Sequence, residues 1–80
     1  MEAIKTMLDL LINNLVDQPN MVKIDYLDSQ NDTLYINIIV YESDKRKVIG
    51  KQGCTIQAMR TLVHCLGAKN GIRTYLNLVE

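Results

Sequence analysis

The amino-acid sequence predicts an α+β fold with the element order α-β-β-α-α-β, in which a three-stranded sheet carries its helices on one face. Three observations lead to this prediction. Apolar residues recur at helical spacing in two long segments, apolar and polar residues alternate in three short segments, and a glycine pair separates two helical segments. The chain has 80 residues, so we expect residues 1–80 to form a single domain.

The first half of the chain predicts one helix and one hairpin. Within residues 3–16, apolar side chains recur at steps of three and four: Ile4, Met7, Leu8, Leu11, Ile12 and Leu15. Pro19 ends this helix because proline cannot donate into a continuing helix. Residues 22–26 and 34–40 then alternate between apolar and polar, on either side of the turn-rich residues 28–32. We therefore expect an antiparallel hairpin with one buried face.

The second half predicts two helices and a third strand. Ser43 or Asp44 can cap a short helical turn over residues 45–49, which Gly50 interrupts. A longer helix begins at Cys54 and ends near residues 70–71. Its predicted buried face contains Ile56, Met59, Val63 and Leu66. Residues 72–79 alternate again and predict the third strand.

The charges are divided unequally along the chain, although they sum to zero. Residues 1–44 hold two basic and eight acidic residues, for a net charge of −6, whereas residues 45–79 hold seven basic residues and no acid. A segment of 35 residues without a carboxylate indicates a surface that binds a polyanion. The composition, 48% apolar and 22% charged without Trp or Phe, predicts a globular domain with a small aliphatic core.

Several classes of function lack the residues that they require. His64 is the only histidine, and no carboxylate in residues 45–79 could orient it, so we do not expect an enzyme. Cys54 and Cys65 are eleven positions apart on a predicted helix, roughly 16 Å, which is too far for a disulfide. No zinc-binding spacing is present, and no cofactor is expected. We expect a cytoplasmic protein, because neither a secretory signal nor a membrane-spanning segment is evident.

The segment Gly50-Lys51-Gln52-Gly53 is the predicted binding site of this chain. Two glycines at this spacing permit a tight turn, and they leave no side chain to hold a ligand away from the backbone. The second glycine directly precedes a predicted helix, whose first amides are unpaired and whose dipole is positive at that end. We therefore expect the loop to bind a phosphate, with the positive charge of Lys51 beside it.

The loop and its surroundings resemble the KH domain of type II topology. The resemblance is carried by the run Val48-Ile49-Gly50-Lys51, by Gly53, and by the predicted order of elements, and it covers essentially the whole chain. The chain length, the first helix and residues 58–63 are similar to small bacterial single-KH proteins of the KhpA family. That resemblance implies an RNA chaperone that partners a larger KH protein, KhpB, and influences cell length and cell-wall synthesis.

The resemblance also implies which residues meet RNA. In KH domains the loop clamps the backbone of about four nucleotides, and the bases lie in an apolar groove. The backbone-binding residues are then Gly50, Lys51, Gln52, Gly53, Lys47 and Arg60, and the groove is formed by Val40, Ile49, Ile56 and Met59. This chain has Arg46 where family members often have glycine, and Cys54 where they often have a basic residue.

Two kinds of partner follow from these predictions. Single-stranded RNA is the first. The second is another KH domain, in a homodimer or in a heterodimer with a KhpB-like protein, because two linked loops bind more tightly than one. The alternative function is a protein-interaction module that dimerises through a KH-shaped scaffold and has little affinity for RNA.

Overall fold

The computed structural model describes residues 2–29 and 31–79, and it confirms the predicted order of elements. The elements are α1 Glu2–Leu15, β1 Lys23–Ser29, β2 Thr33–Ile39, α2 Lys45–Ile49, α3 Cys54–Lys69 and β3 Arg73–Leu78. Short 3₁₀ turns lie at Pro19–Met21, Glu42–Asp44 and Lys51–Gly53. The predicted turn at residues 28–32 includes Gln30, which lies outside the described residues.

The three strands form one mixed sheet in the order β1-β2-β3. Strands β1 and β2 are antiparallel, as expected for a hairpin, and Tyr26 lies opposite Ile36. Strand β3 is parallel to β2, with Leu76 opposite Ile36. A parallel pair needs a long crossover, which α2 and α3 provide. Strands β1 and β3 are the two edges of the described sheet.

The core lies between one face of the sheet and the helices, as predicted. The sheet contributes Leu34, Ile36, Ile38, Leu76 and Leu78, and the helices contribute Ile4, Leu8, Ile12, Val48, Ile56, Met59 and Val63, all of them buried. On the opposite face of the sheet, Leu27, Tyr35 and Tyr75 are exposed. No helix in the part of the chain that the structure describes is long and apolar enough to cross a membrane.

The contact between α3 and β3 depends on Gly67 rather than on Leu66. Gly67 is buried in α3, and a Cβ atom there would lie 2.6 Å from Thr74 Cγ2 and 2.8 Å from the carbonyl oxygen of Ile72. The absence of a side chain thus lets the helix approach the start of β3 closely. Leu66, which the helical spacing placed on the buried face, is only partly buried.

Asp44 does not cap α2 through its side chain, contrary to one of the two predicted capping choices. Its carboxylate is fully buried and instead accepts hydrogen bonds from the backbone amides of Asp17 and Gln18, at 3.1 and 3.0 Å. These amides follow the end of α1, where the chain leaves the helix and its amides no longer bond back to helical carbonyls. Asp44 therefore ties the end of α1 to the start of α2.

Candidate nucleic-acid interface

The loop between α2 and α3 requires glycine at its first position. Gly50 has φ +79° and ψ 174°, a conformation that residues with a side chain rarely adopt. A Cβ atom at this position would lie 2.2 Å from Thr55 Oγ1 and 2.8 Å from the Thr55 backbone nitrogen. Gly50 therefore allows the chain to leave α2 and pass close over the first turn of α3.

Gly53 meets a different requirement at the other end of the loop. It has φ +80° and ψ 9° and lies immediately before α3. A Cβ atom there would meet nothing within 4 Å, so the space beside Gly53 is open. Among the described residues, no side chain caps this end of α3 with a hydrogen bond. The open space and the uncapped helix end together leave room for an anion beside the first turn of α3.

Lys51 and Gln52 form the exposed tip of the loop. Gln52 has φ +55° and ψ 26°, which is the left-handed region. The turn is held by its own backbone, because the Gly50 amide donates to Arg46 O at 2.8 Å and the Gly53 amide donates to Gly50 O at 3.1 Å. The side chains at the tip take no part in those bonds and point away from the core.

The basic residues in and just before the loop differ in whether an acidic side chain already pairs with them. Lys47 Nζ donates to an Asp17 carboxylate oxygen and lies 3.8 Å from Asp44 Oδ1. The hydrogen bond with Asp17 raises the pKa of Lys47, so this lysine keeps its proton but is already paired. Among residues 2–29 and 31–79, Arg46 and Lys51 have no ionic partner. The unpaired positive charge therefore lies at Arg46 and Lys51 rather than at Lys47.

Arg60 lies on α3 and reaches the edge of the sheet. Its Nε donates to the carbonyl oxygen of Leu76 in β3, at 3.0 Å. Arg60 also lines an open cavity of about 510 Å³ between α3 and β3, and its guanidinium has further hydrogen-bond donors besides Nε. The cavity is lined by Arg60, Thr61, His64, Thr74, Tyr75 and Leu76. This cavity was not predicted, because its lining comes from two elements that only the folded chain brings together.

The backbone of β3 adds polar groups to the same cavity. The amides of Arg73 and Val79 donate toward β2, each at 2.8 Å. In a parallel pair, the amide and the carbonyl of one residue point to the same neighbouring strand, and those of the next residue point the opposite way. Every second residue between Arg73 and Val79 therefore directs its amide and carbonyl to the open edge of β3. Those residues are Thr74, Leu76 and Leu78. The Leu76 carbonyl already accepts a hydrogen bond from Arg60. The other backbone amides and carbonyls of these three residues can bond to an extended ligand.

The residues predicted to line the base groove are mostly core residues. Val40, Ile56 and Met59 expose 6%, 6% and 3% of their surface, and Ile49 is half-buried. The same helical spacing serves a core face or a groove face, which is why the sequence could not separate the two. The groove at these four residues stays a prediction, and Ile49 is the member with accessible surface.

Within the described part of the chain, no group of three His, Cys, Asp or Glu residues could hold a metal ion. Cys54 and Cys65 are both free thiols and both exposed. The polar groups around the loop and cavity are instead hydrogen-bond donors, backbone groups and cations.

The chain is similar to known proteins over most of its length. The family described as "KhpA/KhpB, KH domain" matches residues 5–78. The chain is 37% identical over 76 residues to the "RNA-binding protein KhpA" of Chlamydia pneumoniae, covering 95% of this chain and 96% of the relative. It is 34% identical to the protein of the same name from Aquifex aeolicus over 80 residues, which is all of both chains. The same-named Listeria monocytogenes protein is 36% identical over 70 residues, covering 88% and 91% of the two chains.

Proposed function

Because this chain belongs to the KhpA/KhpB family of KH domains, we propose that it binds single-stranded RNA with the loop Gly50-Lys51-Gln52-Gly53. This is a family of RNA-binding proteins and not a family of enzymes. The observation that carries the proposal is the form of the loop. Two glycines at positive φ place an exposed, unpaired lysine beside an uncapped helix end. A phosphodiester fits there because it is an anion with several acceptor oxygens.

The bases are proposed to enter the cavity between α3 and β3. There the guanidinium of Arg60 and the free backbone groups of β3 can bond to base edges, which suits unpaired bases. Arg46 and Lys51 meet the phosphates more readily than Lys47 does, since Lys47 already pairs with Asp17. Ile56 and Met59 then support the cavity from within the core, and Ile49 offers accessible apolar surface beside the loop.

The wider role is proposed on the resemblance to the KhpA family. The chain acts as one domain in the cytoplasm, as an RNA chaperone with a KhpB-like partner. Together they serve post-transcriptional control linked to cell length and cell-wall synthesis. A small domain that holds about four nucleotides is suited to brief, repeated contacts with RNA, which a chaperone needs.

We expect single-stranded RNA to bind more tightly than a duplex of the same length. The loop needs an accessible backbone, and the cavity needs bases that are not already paired. Fluorescence anisotropy with an octanucleotide and its duplex, repeated between 50 and 200 mM salt, measures both preference and electrostatics. With about three phosphate contacts, single-strand affinity should fall roughly 10- to 20-fold over this range. Equal affinity for the duplex, or indifference to salt, would contradict the proposal.

A protein-interaction module with little RNA affinity is the second candidate. It is favoured by exposed apolar side chains on the helices, with Leu62 on α3 at 47% exposure and Leu10 on α1 at 65%. This candidate predicts little RNA binding at any salt concentration in the series above, whereas RNA binding that weakens with salt favours the first candidate.

We expect the functional species to contain two KH domains, either as a homodimer or with a larger KhpB-like protein. The core of this 80-residue chain is aliphatic and small, so further burial of apolar surface is favourable. Two linked loops also make the second RNA contact intramolecular, which raises affinity without new contacts. Sedimentation velocity at tens of micromolar, alone and with the candidate partner, measures this directly. A monomer under both conditions would refute the expectation.

A further inference from the structure

The outer face of the sheet carries a pair of stacked aromatic rings. Tyr35 on β2 and Tyr75 on β3 lie side by side, with ring centroids 5.3 Å apart and ring planes at 17°. They expose 43% and 52% of their surface, although they pack against each other. Leu27 on β1 continues the same row. The helices lie on the other face of the sheet, so these side chains meet no helix.

Tyr75 is the outermost ring of this row. Tyr35 occupies one of its faces, and β3 is an edge strand of the described sheet. The second face of the ring is therefore directed to the open edge, where it can accept another planar group. Tyr75 also belongs to the lining of the cavity between α3 and β3. A chain that leaves this cavity across the edge of β3 reaches the free face of Tyr75 next.

The residues around Tyr75 suit a nucleic acid. Arg73 and Asn77 lie two positions to either side on the same face, and both are exposed. On the three strands, the only carboxylate on this face is Asp25, on the far strand, 4.0 Å from Lys23. A guanidinium for phosphate, an amide for base edges and an aromatic face for stacking are the groups that single-stranded nucleic acids contact.

The size of the face argues against a stable protein partner as its occupant. Three strands about 4.8 Å apart and six residues long at about 3.3 Å each span roughly 300 Å² in projection. Stable protein interfaces bury about 800 Å² of accessible surface on each partner, so a stable protein partner would have to extend well beyond this face. Two or three stacked bases need far less area, and each has a planar face that matches a tyrosine ring.

We propose that the Tyr35–Tyr75 pair is a second contact for RNA, on which a nucleotide leaving the α3–β3 cavity stacks against the free face of Tyr75. The proposal rests on the proposed function, since the strand must first occupy the loop and cavity. It extends the bound length of RNA beyond the nucleotides held by the loop, around the edge of β3.

The test compares RNA of two lengths with variants of the row. Tyr75→Thr removes the ring and keeps a side chain suited to strands, Tyr75→Phe keeps the ring, and Leu27→Thr is the matched control at the other end of the row. We expect Tyr75→Thr to weaken octanucleotide binding about fivefold or more and to affect a tetranucleotide less. Tyr75→Phe and Leu27→Thr should stay within about twofold of the unmodified protein on the same RNA.

Each other result overturns a specific statement. If the loop variant Lys51→Asp with Gln52→Asp loses RNA binding but Tyr75→Thr binds the octanucleotide normally, the second contact is wrong and the proposed function stands. If the unmodified protein binds neither RNA, the proposed function fails as well. If Tyr75→Thr turns a dimer into a monomer with unchanged RNA affinity, the face is a protein interface. Should Tyr75→Thr not fold, photocrosslinking from 4-thiouridine placed along the octanucleotide decides: crosslinks at Tyr75 support the contact, and their absence refutes it.

Discussion

Replacing both Lys51 and Gln52 with aspartate is expected to lower the affinity for single-stranded RNA by about 100-fold or more, while the domain stays folded. The double substitution removes the unpaired cation at the loop tip and places two carboxylates where phosphates approach. Both side chains are exposed, and neither bonds to the rest of the loop. Gln52 has φ +55°, a conformation that aspartate tolerates better than most residues, so the backbone should not change.

A matched control separates a local effect from the change in total charge. Lys69→Glu with Asn13→Asp alters the net charge by the same three units at exposed positions. Lys69 lies at the far end of α3, about 22 Å from the loop. Anisotropy should show a small, salt-sensitive loss for this control. A folded loop variant that binds RNA as well as the unmodified protein would remove the loop from the mechanism.

Replacing Asp44 with alanine is expected to destabilise the domain by about 2–4 kcal/mol. The carboxylate is fully buried and accepts the backbone amides of Asp17 and Gln18. Alanine would leave both amides without an acceptor and would leave Lys47 paired with Asp17 alone. For a domain of this size, the melting temperature should fall by roughly 10–25 °C, measured by circular dichroism.

Asp17→Asn provides the comparison for Asp44. It removes a carboxylate that also contacts Lys47, but the Asp17 side chain is 72% exposed. An exposed ion pair contributes little, so the melting temperature should change by no more than a few degrees. Equal melting temperatures for Asp44→Ala and Asp17→Asn would show that the buried carboxylate does not hold α1 to α2.

The elements were predictable because their signals are local. The spacing of three and four in α1 and α3 and the alternation in β2 and β3 each appear within a few residues. The helical pattern that begins at Cys54 predicted that Gly53 directly precedes a helix, and Gly53 does lie directly before α3. These helices and strands could therefore be predicted without knowing which segments of the chain contact each other.

What the sequence could not predict depends on contacts between distant residues. Asp44 was interpreted as one of two possible helix caps, because its partners 26 and 27 positions away could not be known from the sequence. Lys47 was expected to meet phosphates, and its pairing with Asp17 depends on α1 ending beside α2. The cavity likewise arises where Arg60 reaches Leu76 in the edge strand, a contact that spans 16 positions.

A titration of ¹⁵N-labelled protein with a tetranucleotide RNA, followed by amide chemical shifts, distinguishes RNA binding at the glycine loop from binding elsewhere on the domain. We expect the largest shifts at Gly50, Lys51, Gln52 and Gly53 and in the first turn of α3, followed by the open edge of β3. Shifts that leave these loop amides unchanged while RNA binds elsewhere would contradict this expectation.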